Sequence, residues 1–148
     1  MKLKQENQNT DKIVLVGGCF DFIHFGHVNF LKSAKKLGGK LVVALESDVN
    51  VRKTKGHTRP VHTQDQRRQM LEAISFIDKI LMLPPMRSDD DYFNLVLKIK
   101  PAVIATTAGD PVLEKKRKQA KKVGAKLVII PKIHTPSTSQ LAKLLGLE

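Results

Sequence analysis

Two histidines, His24 and His27, follow a pair of glycines in the segment GGCFDFIHFGH at residues 17–27. A strand that ends in glycines leaves its main chain open to close approach by a ligand. A helix that begins next adds free N–H groups and the positive end of its dipole. Imidazoles three residues apart share one side of a helix, where they can hydrogen-bond phosphoryl oxygens and stabilise developing charge. The segment therefore predicts a phosphate site, and Gly26 keeps its turn open to a bulky ligand.

Other kinds of site fit this segment less well. A dinucleotide fingerprint requires G-x-G-x-x-G and a Walker loop requires Gly-Lys-Ser/Thr, and the segment contains neither. A zinc site built from Cys19, His24 and His27 lacks a fourth ligand at ordinary spacing. The sequence accordingly predicts no protein-bound metal site.

The elements that must position these residues follow a β-α-β-α pattern. Short apolar runs lie at residues 13–16, 41–45, 79–83, 102–105 and 126–130, and segments with helical spacing lie at 27–37, 63–75, 89–99, 112–123 and 138–145. Strands that are almost wholly apolar need cover on both faces, as in a parallel sheet between helices. We predict an α/β fold: a single doubly wound, Rossmann-like domain of about five parallel strands at residues 12–148, after a flexible tail at residues 1–11.

Ligands of doubly wound sheets bind beyond the carboxyl ends of the strands, at the point where the winding direction reverses. The glycine pair lies at such an end. The segment 106–110, which follows the fourth predicted strand, should face it across a cleft and is a candidate base-recognition loop. Local signals support the helices: Thr63 and Gln66 form a capping box, and Gly124 ends a helix.

The composition favours small anionic partners. The chain has 26 Lys and Arg against 14 Asp and Glu, a formal net charge of +12, which attracts phosphorylated molecules. Aromatic residues make up only 5% and Trp is absent, so stacking platforms for nucleic acid are scarce. The basic run at 114–122 is interpreted as a solvated helix face, and nucleic acid as an improbable partner. The single cysteine, the polar first residues and the lack of a long apolar run predict a cytoplasmic protein without membrane insertion.

The segment at 17–27 resembles the G-x-F-D-x-x-H-x-G-H signature of the cytidylyltransferase-like nucleotidyltransferases, and the resemblance extends over most of the chain. A second family element, Arg-Thr-Glu-Gly-Ile-Ser-Thr-Thr, is similar to residues 132–139. Lys132 stands there in place of the arginine, and Thr135-Pro136 in place of Gly-Ile. A lysine cannot reproduce a bidentate arginine contact.

The resemblance implies that an acceptor phosphate attacks the α-phosphorus of a nucleoside triphosphate bound with Mg²⁺, and that pyrophosphate leaves without a covalent enzyme intermediate. It implies catalytic roles for His24, His27 and Lys53, and contacts from Lys55 and Arg67 to the acceptor phosphate. For Asp21 the resemblance implies a structural role, fixing the turn through main-chain hydrogen bonds. The implied nucleotide-binding residues are His24 and His27 together with Gly17, Gly18, Cys19, Phe20, Gly26, Gly109, Asp110, Lys132, Ser137, Thr138 and Ser139.

The substrates implied by the resemblance form a short series. Residues 55–61, with Gln66-Arg67 and Gly109-Asp110, look most like the heptose-1-phosphate adenylyltransferases, which use ATP and D-glycero-β-D-manno-heptose 1-phosphate. Glycerol-3-phosphate cytidylyltransferase, which uses CTP, and FMN adenylyltransferase are the alternatives within the family. A non-catalytic protein that binds nucleotide or nucleic acid is an alternative of a different class.

The resemblance also implies a possible homodimer, since relatives are often dimeric. Phe22, Phe25 and Phe30 could contribute its apolar surface, and packing of the first helix on the core explains these phenylalanines equally well.

Overall fold

The structure is a computed structural model that describes residues 11–136 and 138–146. Five strands alternate with helices, as predicted. The strands are β1 Ile13–Gly18, β2 Lys40–Leu45, β3 Lys79–Met82, β4 Val103–Thr107 and β5 Lys126–Ile130. The helices are α1 Phe25–Lys35, α2 Asp48–Lys55, α3 Gln64–Glu72, α4 Asp89–Ile99, α5 Leu113–Val123 and α6 Thr138–Leu144. The predicted tail lies outside the described residues except for Asp11.

The sheet confirms the predicted doubly wound arrangement. All its pairings are parallel and the strand order is β3-β2-β1-β4-β5. Strands β2 and β3 follow β1 in order on one side of it. The chain then crosses back, and β4 and β5 lie on the other side of β1. The winding direction therefore reverses between β1 and β4, and the glycine pair at the end of β1 lies at this switch point.

Each face of the sheet is buried under helices, which explains the nearly continuous apolar character of the strands. Val14 and Val16 point into a core shared with α1 and α3, which includes the fully buried Leu31 and Leu71. The intervening Leu15 points into a second core shared with α4 and α5, whose members include Val42, Ala44, Val96, Ile104 and Ala120. The period of two along β1 thus divides its side chains between two cores.

Two of the local signals at helix ends are confirmed. Thr63 Oγ1 accepts a hydrogen bond from the main-chain N–H of Gln66 at 3.2 Å, and Gln66 Oε1 accepts one from Thr63 N–H at 3.0 Å. Gly124 adopts a left-handed conformation with φ of 71° at the end of α5. The capping box and the glycine stop therefore fix where these helices begin and end.

Helix α2 was not predicted. Its sequence DVNVRKTK buries only Val51, so the amphipathic pattern is too weak to detect. The helix begins at Ser47, whose hydroxyl accepts a hydrogen bond from Asn50 N–H at 3.2 Å. Its last turn carries Lys53 and Lys55, two of the residues to which the family resemblance gave a role.

None of the described helices has both the length and the apolar character needed to cross a bilayer.

The three phenylalanines considered for a dimer surface differ in placement. Phe30 packs against the core, whereas Phe22 and Phe25 are 38% and 68% exposed.

Candidate active site

A cavity of about 830 Å³ opens at the carboxyl ends of the strands, where the switch-point rule placed the site. It brings together most of the residues named by the family resemblance. Those that line it are Gly17, Gly18, Cys19, Phe20, His24, Gly26, His27, Lys55, Gly109, Asp110, Lys132 and Ser139. Ser137 and the side chain of Thr138 lie outside the described part of the structure. Lys53 and Arg67 do not line the cavity.

The two histidines are held by hydrogen bonds at the start of α1. His24 is the N-cap, and its Nδ1 accepts from Gly26 N–H at 3.0 Å. His27 Nδ1 in turn accepts from His24 N–H at 3.2 Å. The ring centroids are 4.0 Å apart. Because both Nδ1 atoms accept hydrogen bonds, each neutral ring carries its proton on Nε2 and is left with one donor for a ligand.

Both imidazoles are neutral near pH 7. Burial, reinforced by the charges of His24 and Lys55, lowers the pKa of His27 to about 4. Burial also lowers the pKa of His24. The site therefore presents a pair of neutral N–H donors. Each ring can hydrogen-bond a phosphoryl oxygen through its Nε2–H.

The low pKa of His27 predicts a pH dependence of stability. The ordinary pKa is 6.5 and the folded-state pKa is about 4, so between these values the unfolded chain binds more protons. The contribution of His27 to the free energy of unfolding is then complete above pH 6.5 and is lost as the pH falls toward 4. Urea unfolding of the wild type and of His27→Asn across this range should show their difference shrinking on acidification. A difference that stays constant with pH would contradict the assignment.

The turn between β1 and α1 has an unusual backbone. Phe20 and Phe22 adopt positive φ angles of 49° and 56°, which are uncommon for residues other than glycine. Phe20 is buried, and its ring lies 5.5 Å from that of His27. A Cβ atom at Gly18 would lie 2.9 Å from the Phe20 ring. Because Gly18 has no side chain, the Phe20 ring can pack over its Cα and lie beside the His27 ring.

Gly26 is also required by close packing. A Cβ atom there would lie 2.8 Å from His24 Cε1 and 2.9 Å from Thr135 Cγ2. The sequence predicted that this glycine leaves space for a ligand. The structure adds that it lets the segment before α6 approach the histidine pair.

Asp21 anchors a distant segment of chain. Its carboxylate accepts hydrogen bonds from Arg59 Nε at 2.8 Å and from the main-chain N–H groups of Val61 at 2.8 Å and His62 at 3.1 Å. Burial acts to raise its pKa, but these hydrogen bonds outweigh burial and hold the pKa below its ordinary value. The side chain is fully engaged in holding the segment that follows α2 against the phosphate turn. This geometry fits the structural role implied by the resemblance.

The two lysines of α2 occupy different places. Lys55 lines the cavity, whereas the exposed Lys53 does not. Residues two apart on a helix do not share a face, which accounts for the difference. Lys55 therefore lies in the cavity where its phosphate contact was predicted, whereas Lys53 lies outside the cavity in which its catalytic role was predicted.

A paired substitution distinguishes the two lysines. Lys55→Ala should lower kcat/KM by about tenfold or more, because a charge-assisted contact to phosphate is lost. Lys53→Ala should stay within about threefold of the wild type, since an exposed charge outside the site acts only weakly through screened solvent. Steady-state pyrophosphate release measures both. Equal losses in the two variants would restore the sequence-based assignment of Lys53.

The structure places Arg67 differently from what the family resemblance implied. It was assigned to the acceptor phosphate, but its side chain is 0% exposed. The guanidinium donates to the main-chain carbonyls of His62 at 3.1 Å, Cys19 at 2.6 Å and Glu46 at 2.9 Å, and to Asp48 Oδ1 at 2.8 Å. These bonds join the ends of β1 and β2 to α2 and α3. Arg67 therefore holds the frame of the site from inside and is not placed to contact a ligand.

The loop after β4 forms the opposite wall. Asp110 accepts hydrogen bonds from Thr106 Oγ1, from Lys116 Nζ at 2.6 Å and from Val112 N–H at 2.9 Å. Burial acts to raise its pKa, but these donors outweigh burial and lower it. Gly109 has φ of 80°, and Lys132 Nζ lies 3.8 Å from the position a Cβ atom would take there. Asp110 thus orders the loop, while Gly109 and Lys132 form one edge of the cavity.

Sequence reasoning missed several polar residues that line the cavity. Glu46, Asn50, Tyr92 and Lys116 all face it. Glu46 directly follows β2, so the switch-point rule could have identified it. Lys116 belongs to the basic run interpreted as solvated, yet it is half-buried and bonded to Asp110. No sequence signal marked Tyr92.

Fold and site together define a class of protein, a nucleotidyltransferase on a Rossmann-like α/β domain. A family model described as cytidylyltransferase-like matches residues 15–139. The chain therefore belongs to the cytidylyltransferase-like family, which confirms the resemblance found in the sequence and makes it an enzyme of the nucleotidyltransferase type.

Relatives agree with this membership, and a solved structure shares the fold. The bifunctional protein HldE of Campylobacter fetus subsp. fetus is 38% identical over 107 residues, covering 72% of this chain and 22% of that protein. The protein of the same name from Campylobacter jejuni (strain RM1221) is 41% identical over 101 residues, covering 68% and 21%. The chain thus spans about a fifth of the length of these relatives. The crystal structure of the lipopolysaccharide core biosynthesis protein from Thermoplasma volcanium GSS1 shows the same fold, with a TM-score of 0.66 and 24% identity over 82% of this chain and 96% of that chain.

Proposed function

We propose that the protein transfers the adenylyl group of ATP to a sugar 1-phosphate such as D-glycero-β-D-manno-heptose 1-phosphate, releasing pyrophosphate in the cytoplasm. The observation that carries the proposal is the pair of neutral histidine donors at a glycine turn facing a cavity of about 830 Å³. The choice of acceptor is supported by the resemblance of residues 55–61 and of Gly109-Asp110 to heptose-1-phosphate adenylyltransferases.

The chain's own groups act by position and charge. In the proposed reaction an oxygen of the acceptor phosphate forms a bond to the α-phosphorus as the bond to the pyrophosphate oxygen breaks. His24 and His27 donate hydrogen bonds to the oxygens on which charge accumulates. Lys55 holds the acceptor phosphate, and Lys132 and Gly109 line the side assigned to the nucleotide. Catalysis by fixed donors and in-line alignment requires no protein nucleophile.

The proposed nucleotide carries Mg²⁺ with it. Among the described residues, no three His, Cys, Asp or Glu side chains are grouped to hold a metal ion. Asp21 and Asp110 are already engaged by several protein donors. Mg²⁺ is commonly held by substrate phosphates and waters with few protein ligands, and this donor set fits that mode. When bound, the ion would neutralise charge on the triphosphate.

A pyrophosphate-release screen tests the proposal. Purified protein is incubated with Mg²⁺ and either ATP or CTP, alone and with mannose 1-phosphate, D-glycero-β-D-manno-heptose 1-phosphate, glycerol 3-phosphate or FMN. We expect release only when ATP and a sugar 1-phosphate are both present. Release with CTP and glycerol 3-phosphate, or with ATP and FMN, would replace the proposed substrates by one of the alternatives.

The same sample tests the non-catalytic alternative. A protein that only binds nucleic acid should release no pyrophosphate and should bind oligonucleotides with a steep dependence on salt.

The oligomeric state is measured alongside by sedimentation. We propose a homodimer in which the exposed Phe25 is covered. A monomer at micromolar concentration would contradict that part of the proposal.

A further inference from the structure

The cavity extends beyond the phosphate turn into a space between α4 and α5, over the face of the sheet that carries Leu15. We name this space the α4–α5 chamber. The residues that line it include Leu15 and Ile104 from the strands, Tyr92 and Val96 from α4, Lys116 from α5, and Glu46, which directly follows β2. Its walls are mainly apolar. Its polar groups are therefore few, and their placement can determine which ligand fits.

Glu46 and Tyr92 are a coupled polar pair in this lining. The Tyr92 hydroxyl donates to the Glu46 carboxylate, 2.9 Å from one oxygen and 3.1 Å from the other. Asn50 Nδ2 donates to the same hydroxyl at 3.3 Å, and Asn50 is itself bonded to the main chain of Met86. The pair is thus positioned by α2, by α4 and by the segment after β3.

The Glu46 carboxylate keeps unused acceptor capacity. Two carboxylate oxygens offer about four acceptor positions. Within the described part of the chain, Tyr92 is the one hydrogen-bond donor to this side chain. Burial raises the pKa of Glu46, against the opposing effects of the Tyr92 hydrogen bond and the charges of Lys116 and Arg67. A ligand that donates hydrogen bonds would offset part of the cost of burying the carboxylate.

Charge and position indicate which part of a ligand meets Glu46. A carboxylate repels phosphate, so it must face an uncharged, hydrogen-bond-donating part of the substrate. Glu46 follows β2, on the opposite side of β1 from β4 and from the loop carrying Gly109. Lys55, the cation proposed for the acceptor phosphate, lies on the helix that follows Glu46. The carboxylate is therefore on the acceptor side of the site.

We propose that Glu46, oriented by Tyr92, binds hydroxyl groups of the acceptor and so makes the enzyme selective for polyhydroxylated phosphate esters. This inference rests on the proposed function and assigns one residue to its choice of acceptor. Tyr92 is a positioning residue, because it acts through the carboxylate. Lys55 binds the phosphate of the acceptor. Glu46 distinguishes acceptors by the hydroxyl groups of the moiety that is esterified to this phosphate.

Calorimetric titration with two probes tests the inference without requiring turnover. Mannose 1-phosphate and methyl phosphate carry the same phosphate monoester, but only the first has ring hydroxyls. The wild type should bind mannose 1-phosphate about ten- to a hundredfold more tightly than methyl phosphate, as expected for hydrogen bonds to a charged group. The isosteric Glu46→Gln should lose most of this preference, and Tyr92→Phe part of it. The control Glu114→Gln makes the same change at a side chain that is 74% exposed and outside the cavity lining, and should keep the preference.

The same variants are titrated with ATP, whose affinity should stay within about twofold of the wild-type value. Three results would overturn the inference: a wild type with no preference between the probes, including one that binds neither; an unchanged preference in Glu46→Gln; or a loss of ATP affinity instead, which would place the carboxylate at the ribose. Failure of the proposed function is a separate result, the absence of pyrophosphate release in the screen, and it leaves the titrations interpretable.

Discussion

Replacing His27 by alanine is expected to reduce kcat by roughly 10²- to 10³-fold, the loss typical of removing one preorganised donor to a developing oxyanion. His27 is placed for this role because its Nδ1 is occupied by His24 N–H, which leaves the Nε2 proton for the ligand. The neutral state that follows from its low pKa keeps this donor unchanged across the physiological range. Steady-state pyrophosphate release with saturating substrates measures the effect.

The fold should survive this substitution. The variant loses one hydrogen bond of the capping arrangement at the start of α1, a change that typically costs about 1 kcal/mol. Circular dichroism and urea unfolding check that the sample is native. His57→Ala, at an exposed position outside the cavity lining, is the matched control and should keep wild-type turnover. A folded His27→Ala protein with near-normal kcat would remove the histidine pair from the mechanism.

Replacing Arg67 by methionine is expected to destabilise the fold by roughly 3–5 kcal/mol, because a fully buried guanidinium is lost and several main-chain acceptors lose the donor that satisfied them. The substitution leaves Asp48 and three main-chain carbonyls, those of Cys19, Glu46 and His62, without their donor. Urea unfolding monitored by circular dichroism measures the change.

The neighbouring arginine provides the control. Arg68 lies on the exposed side of α3 and forms ion pairs with Asp65 and Glu72, interactions that usually contribute little in solvent. Arg68→Met should leave the urea midpoint almost unchanged. If Arg67→Met kept wild-type stability and instead lost affinity for the acceptor, the original assignment of Arg67 to the acceptor phosphate would be correct.

The strands and the phosphate turn could be predicted from sequence because both depend on local patterns. Strands buried on both faces give short apolar runs, and all five runs became strands, with no end displaced by more than two residues. The glycine pair and the spacing of His24 and His27 are likewise local, and they identified both the switch point and the family. Helix α2 was not predicted because Val51 is its one buried residue, so its sequence lacks an apolar periodicity.

The side-chain environments could not be read in this way because they depend on residues far apart in the chain. Arg67 was assigned to the acceptor phosphate because it matches an arginine in the family that the sequence resembles. Its burial follows from carbonyl groups contributed by the ends of β1 and β2. The Glu46–Tyr92 pair joins residues 46 positions apart, and no periodicity signals such a contact.

The most direct test of the account is a calorimetric titration of the wild-type protein with ATP and, separately, with CTP in the presence of Mg²⁺. We propose that the cavity at the strand ends is a nucleoside triphosphate site in which His24 and His27 contact the phosphates. We therefore expect saturable binding with a clear preference for ATP. A folded sample that binds neither nucleotide would contradict it.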